Sequence, residues 1–127
     1  MKKDKKKTIL VIEDDETILS MMVKHLKYEG YKVISAGNGL DGLKLLESKK
    51  YDLVVTDIVM PYVSGVGVVT AIKEKHPQIP VIAMTGYGVE PMEAASERKA
   101  DLVLAKPVQM SVLKDHIVEL LNSREDN

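Results

Sequence analysis

Apolar residues fall along this chain in two alternating rhythms. Short runs rich in β-branched residues recur at 8–12, 32–35, 53–56, 80–84 and 102–105, and each leads into a stretch whose apolar positions return at helical spacing. The first helical stretch follows Asp15, places Ile18, Leu19, Met22, Val23 and Leu26 on one face, and stops at Gly30, a residue suited to a left-handed C-terminal cap. The second carries Leu40, Leu43 and Leu46, and the third carries Val66, Val69 and Ile72 and ends before Pro77. A fourth, weaker stretch starts near Pro91 with Met92, Ala94 and Ala95, and a fifth shows Met110, Leu113, Ile117, Leu120 and Leu121.

A strand followed by a helix, repeated five times with short connections, predicts parallel pairing through right-handed crossovers and a sheet covered on both faces. The expectation is a doubly wound α/β domain. The lysine-rich residues 1–7 read as a frayed, disordered basic lead-in and 122–127 as a polar tail, which leaves 8–121 as one folded unit.

Composition narrows the function classes. The chain has 127 residues, the size of one domain, and 45% hydrophobic and 29% charged residues, ordinary for a globular protein. Lys and Arg number 18 against 19 Asp and Glu, so no global charge draws the chain to nucleic acid or to an anionic membrane. It has no cysteine, which removes disulfides, thiolate metal sites and cysteine nucleophiles. No apolar run approaches a membrane span and no secretory h-region opens the sequence, so a cytoplasmic location is expected.

Parallel sheets of this kind place ligands at the carboxyl ends of their strands. There the first strand ends in Glu13-Asp14-Asp15, the third in Thr56-Asp57, the fourth in Thr85-Gly86 and the fifth in Lys106-Pro107. Carboxylates brought within about 4 Å repel by about 4 kcal/mol at an effective dielectric of 20, so the cluster calls for a cation. Mg²⁺ suits it, since that ion takes oxygen ligands and is held by one or two carboxylates plus a phosphate. Lys106 and the Thr85 hydroxyl could then hold the remaining oxygens of a transferring phosphoryl group.

These residues resemble the receiver domains of two-component response regulators, the chemotaxis response regulator being a single-domain example. The resemblance covers about residues 8–121 and rests on Ile-Leu-Val-Ile-Glu-Asp-Asp at 9–15, Thr-Asp-Ile-Val-Met-Pro at 56–61 with Gly65 following, Met-Thr-Gly at 84–86 and Lys-Pro at 106–107. It implies a flavodoxin-like sheet of order 2-1-3-4-5 flanked by five helices, and a signalling switch instead of a turnover enzyme. Asp57 matches the phospho-acceptor, supplied by a histidine kinase or histidine phosphotransfer protein. Glu13 and Asp14 match the acidic pair that binds Mg²⁺ together with Asp57, and the Val59 backbone carbonyl matches the main-chain ligand. Thr85 matches the switch hydroxyl, Lys106 the phosphate-pairing cation, and the Lys106–Pro107 bond is expected to be cis. The output is expected from a shift of the face running from the fourth strand to the fifth helix, acting on a partner or on a fused or separate output domain. Apolar positions on the fourth and fifth helical stretches are candidates for a homodimer face, and neither direct nucleic-acid binding nor membrane attachment is expected.

The chain also departs from the family pattern. Glu13 stands where aspartate is frequent and is one methylene longer. Val103 stands where the family's switch aromatic is usual, with Tyr87 the nearest substitute, and Val108 stands where phenylalanine is common. Val59 has no side-chain hydrogen bond to offer a hydrolytic water, so a long-lived phosphoaspartate is expected. Two other classes stay open on sequence. One is a small Mg²⁺-dependent phosphohydrolase or phosphotransferase using the same acids. The other is a nucleotide-binding module, since Gly37, Gly39 and Gly42 match G-x-G-x-x-G after a strand, although not after the first. His25, His76 and His116 lack metal-ligand spacing.

Overall fold

The computed structural model describes residues 6–58, 65–86 and 100–125. Five strands, β1 (Thr8–Ile12), β2 (Lys32–Ala36), β3 (Leu53–Asp57), β4 (Val81–Thr85) and β5 (Leu102–Ala105), form one sheet in the order β2-β1-β3-β4-β5. Every neighbouring pair is parallel. The doubly wound order expected from the sequence is the one observed. Four helices are described: α1 (Glu16–Tyr28), α2 (Gly39–Ser48), α3 (Gly65–Lys75) and a C-terminal α4 (Met110–Glu125). The helical stretch predicted from Pro91 lies outside the described residues, as do Pro61, Tyr87 and Val59.

Alternate side chains of the central strands feed two separate cores. Ile9, Val11, Leu53, Val55, Ile82 and Met84 pack with Met22 and Leu26 of α1 and Leu113, Ile117 and Leu121 of α4. Leu10, Ile12, Val54, Val81 and Ala83 pack on the opposite face with Leu46 of α2 and Val68, Val69 and Ile72 of α3. Burial on both faces is why these strands read as continuous apolar runs with no polar alternation.

Local chemistry bounds the first helix where the sequence predicts and caps the second. Asp15 caps α1 by accepting from Ile18 N at 3.0 Å, and Gly30 takes the left-handed conformation at φ +102° just beyond it. Asn38 caps α2, accepting from Asp41 N at 2.8 Å.

Two expectations are corrected. Leu40 does not join Leu43 and Leu46 against the core but stands exposed, because α2 turns Gly39 and Gly42 inward in its first turns. A Cβ on Gly42 would come within 2.8 Å of Ile12 Cγ1, so that glycine lets the helix lie close on β1. Helix-to-sheet packing thus accounts for Gly42, whereas a Cβ on Gly37 would meet nothing within 4 Å. Asp57 and Thr85 close β3 and β4 as the sequence leads one to expect, the pairing of Asp57 with Met84 and Thr85 with Ala105 carrying the ladder through the polar positions. Finally, α4 continues past Leu121 through Glu125, into the segment read from its polarity as tail. Apolar burial stops at Leu121, but backbone hydrogen bonding along a helix needs no apolar side chain.

Candidate functional site

The strand order reverses between β1 and its two neighbours, β2 and β3, and the crevice at that point lies over the carboxyl ends of the strands. Register decides which residues reach it. Ile12 pairs with Thr56, so Glu13 and Asp57 emerge side by side; Asp57 pairs with Met84, and Thr85 with Ala105, which puts Thr85 and Lys106 next along the edge. Backbone hydrogen bonds hold the row together: Glu13 N donates to Ala36 O at 3.1 Å, Ile58 N to Met84 O at 2.9 Å and Lys106 N to Thr85 O at 2.7 Å.

The side chains converge. One carboxylate oxygen from each of Glu13, Asp14 and Asp57 lies within 4.8 Å of the others. The Lys106 ammonium reaches into the same cluster, 2.9 Å from Glu13 Oε1 and 3.0 Å from Asp57 Oδ2. Glu13 and Asp57 are buried, with side chains 0% and 5% exposed, while Asp14 faces solvent. Thr85 is buried at the end of β4. Glu13 Oε2 accepts from Asp15 N at 3.1 Å, so the backbone that starts α1 also fixes the first acid. Glu13 Oε1 is buried and held by the Lys106 ammonium.

Electrostatics follow from this packing. Burial above all, with the Asp57 carboxylate adding to it, pushes the Glu13 carboxyl up from 4.5 against the opposing pull of Lys106 and Asp15 N–H. Burial alone would lower the Lys106 ammonium, but its contacts with Glu13 and Asp57 outweigh that and raise it above 10.5.

The sign for stability can be worked out for Glu13. The folded chain keeps a proton that the unfolded chain releases near 4.5, so the stability contributed by this group is complete below that value and is lost as pH rises through the raised one. Glu13→Gln removes the titration. In metal-free buffer the variant should gain on the parent as pH rises from about 4 to about 8, followed by urea unfolding. Parallel profiles would contradict the shift.

Three acids facing one ammonium form an oxygen-only donor set that fits a hard dication such as Mg²⁺. The other sequence expectations can be placed as well. The Lys106–Pro107 bond is cis. Val103 is half-buried against the α2 and α3 core, and Val108 packs against the α1 and α4 core. His25 is exposed, and His76 and His116 are half-buried, all away from the acids. The double reach of Lys106 and the role of Asp15 N–H were not legible in the sequence; the only local signal was a carboxylate two residues ahead of a helix cap.

A family model for the response regulator receiver domain matches residues 9–118. A cyclic di-GMP phosphodiesterase of Thermotoga maritima is 35% identical over 118 residues, covering 92% of this chain and 32% of that protein. The transcriptional regulatory protein AfsQ1 of Streptomyces coelicolor is 34% identical over 119 residues, 93% of this chain and 52% of that protein. The chain thus spans about a third to a half of the length of these relatives. Among solved structures, a CheY-like receiver domain protein of Methanospirillum hungatei superposes with a TM-score of 0.93 at 30% identity, over 96% of this chain and 98% of that one. The response regulator TrrA of Thermotoga maritima, in complex with Mg²⁺-BeF, gives a TM-score of 0.82 at 34% identity, over 90% and 98%. No helix among the described residues is long and apolar enough to cross a membrane.

Proposed function

Because the chain belongs to the response regulator receiver domain family, whose members are signalling switches, we propose that it is a phospho-acceptor in which Asp57 takes a phosphoryl group from a phosphohistidine. The donor is a histidine kinase or a histidine phosphotransfer protein. The reading is carried by one observation: acids from the ends of β1 and β3 meet the Lys106 ammonium in one crevice beside Thr85.

An oxygen of Asp57 attacks phosphorus, the bond from phosphorus to the imidazole nitrogen breaks, and its electron pair stays on that nitrogen, leaving an acyl phosphate on Asp57. Glu13, Asp14, Asp57 and the Val59 carbonyl would hold Mg²⁺. When bound, the ion neutralises charge on the acids and on the phosphoryl oxygens. Lys106 and the Thr85 hydroxyl hold the remaining phosphoryl oxygens. Since these contacts exist only after transfer, they favour one of two accessible conformations and so alter affinity for an output domain or partner. The protein acts on itself and does not turn over a separate substrate.

Incubation with acetyl phosphate or phosphoramidate and Mg²⁺, followed by intact mass measurement, should give a single added phosphoryl group that persists after the donor is removed. Chelation of the metal should prevent it. Continuous phosphate release from diverse esters without a stable adduct would overturn the reading in favour of a hydrolase.

A further inference from the structure

The summed charge of −1 hides how charge is placed along the molecule. Acids gather over the carboxyl ends of the strands, whereas lysines gather at the opposite, amino-terminal edge of the sheet. Lys32 opens β2 opposite Thr8, and its N–H donates to Lys7 O at 2.9 Å; Asp52, which leads into β3, donates from N to Thr8 O at 2.8 Å. The segments that enter β2, β1 and β3 therefore run side by side, on strands about 4.8 Å apart, and they carry Lys32, then Lys6 and Lys7, then Lys49 and Lys50. Lys27 joins the row from the last turn of α1, where Gly30 N donates to Lys27 O at 3.0 Å on the way into β2. Lys6, Lys27, Lys32, Lys49 and Lys50 are all exposed, and Lys2, Lys3 and Lys5 precede Lys6 in the sequence.

The acids of this edge do not cancel the row. Glu29 is neutralised by Lys114 at 3.1 Å, while Asp52, half-buried on Thr8 N at 2.7 Å, and exposed Glu47 leave the lysines in excess. Strands of five residues put the two edges about 16 Å apart, about two Debye lengths at physiological salt, so a surface touching the lysines would feel the acids of the far edge only weakly. Tyr28, 88% exposed, stands beside Lys27 at the same end of α1.

We propose that this edge docks on an anionic lipid surface and holds the acidic crevice away from the bilayer. The expectation of no membrane attachment came from the charge sum, and a planar surface responds to the distribution instead. A cluster of about four to eight cations is the scale at which anionic headgroups are bound. The cations of the row are all lysines, point charges that suit phosphate and carboxylate headgroups in no fixed arrangement, whereas reading of base edges favours the arginine fork. The amphipathic ring of Tyr28 suits the headgroup level. Docking of this kind does not depend on what Asp57 does.

Cosedimentation of the full chain with vesicles of phosphatidylcholine, alone or mixed with an equal part of phosphatidylserine, provides the test. Binding is expected only to the mixed vesicles and should weaken as salt rises. Each lysine near such a surface is worth about fivefold in affinity, so Lys32→Gln/Lys49→Gln/Lys50→Gln should bind about 100-fold more weakly while its circular dichroism spectrum stays that of the parent. Glu16→Gln alters an exposed acid in the first turn of α1, at the opposite edge. It changes the net charge as much as a single lysine substitution does, yet should change binding by no more than about twofold. No preference for the mixed vesicles, a triple variant that binds as the parent does, or a response to Glu16→Gln as large as that to Lys32→Gln overturns the proposal. Tighter binding to a single-stranded oligonucleotide than to the mixed vesicles at equal phosphate overturns it too, and assigns the edge to nucleic acid.

Discussion

Asp57→Asn should abolish phosphoryl uptake, with labelling by acetyl phosphate falling at least about 10³-fold, below detection by intact mass, while the circular dichroism spectrum stays that of the folded chain. The change keeps the shape of the side chain at the end of β3 and removes only its charge. An amide oxygen is a poor nucleophile, and it would give no stable acyl phosphate. The fold should tolerate the change because Asp57 is one of three acids crowding the site, and its charge is among the causes that push the Glu13 carboxyl up. In the Asp57→Asn variant that repulsion disappears, and Lys106 keeps Glu13 as its ionic partner. Affinity for Mg²⁺ should fall as well, since one of the three carboxylates is gone, which changes of amide resonances on titration would measure. A variant that still gained one phosphoryl group at full rate would place the acceptor elsewhere, with exposed Asp14 the first alternative to test.

How much of this could be read from the sequence depends on the physical scale of each feature. The central strands β1, β3 and β4 were legible because burial on both faces keeps them apolar at nearly every position, whereas the edge strand β2 exposes Lys32 and Ser35 and is marked by β-branched residues instead. The site acids were legible through topology: once the strands are parallel, residues following them share an edge, however distant in sequence. Helix faces were less so. Leu40 looks like part of an inward stripe with Leu43 and Leu46, yet the helix presents Gly39 and Gly42 inward, because a close approach to Ile12 depends on what is missing from a side chain and hydropathy does not record that. The contact of Lys106 with Glu13 spans most of the chain and is set by how far two long side chains extend; no spacing rule encodes it. The readings at Val59, Tyr87 and the helix from Pro91 fall outside the described residues.

Ile82→Ala should be the most destabilising of the changes considered, by about 2–5 kcal/mol, out of the roughly 5–15 kcal/mol that holds a domain folded. Ile82 is fully buried as the second residue of β4, paired in register with Val55 on one side and Leu102 on the other, and its side chain enters the core with Met22, Leu113 and Ile117. The void would be slow to collapse, since the wall behind it is a hydrogen-bonded sheet and the walls in front are two helices already packed on neighbouring strands. Ile82→Val, which removes one methyl group, should cost about 0.5–1.5 kcal/mol. With no tryptophan in the chain, urea unfolding is best followed by circular dichroism, and the midpoint should fall while the slope stays constant. A loss below about 1 kcal/mol for the alanine variant would mean that the core around β4 relaxes far more than its close packing implies. The chemistry should respond differently. Thr85 lies farther along the same strand, and its position is set by backbone pairing, including Ile58 N to Met84 O and Lys106 N to Thr85 O, which a shortened side chain at 82 leaves in place. Under conditions where the variant is still folded, labelling of Asp57 should therefore stay within a few-fold of the parent, whereas Asp57→Asn loses labelling with its stability intact; the two variants separate what holds the crevice together from what reacts in it.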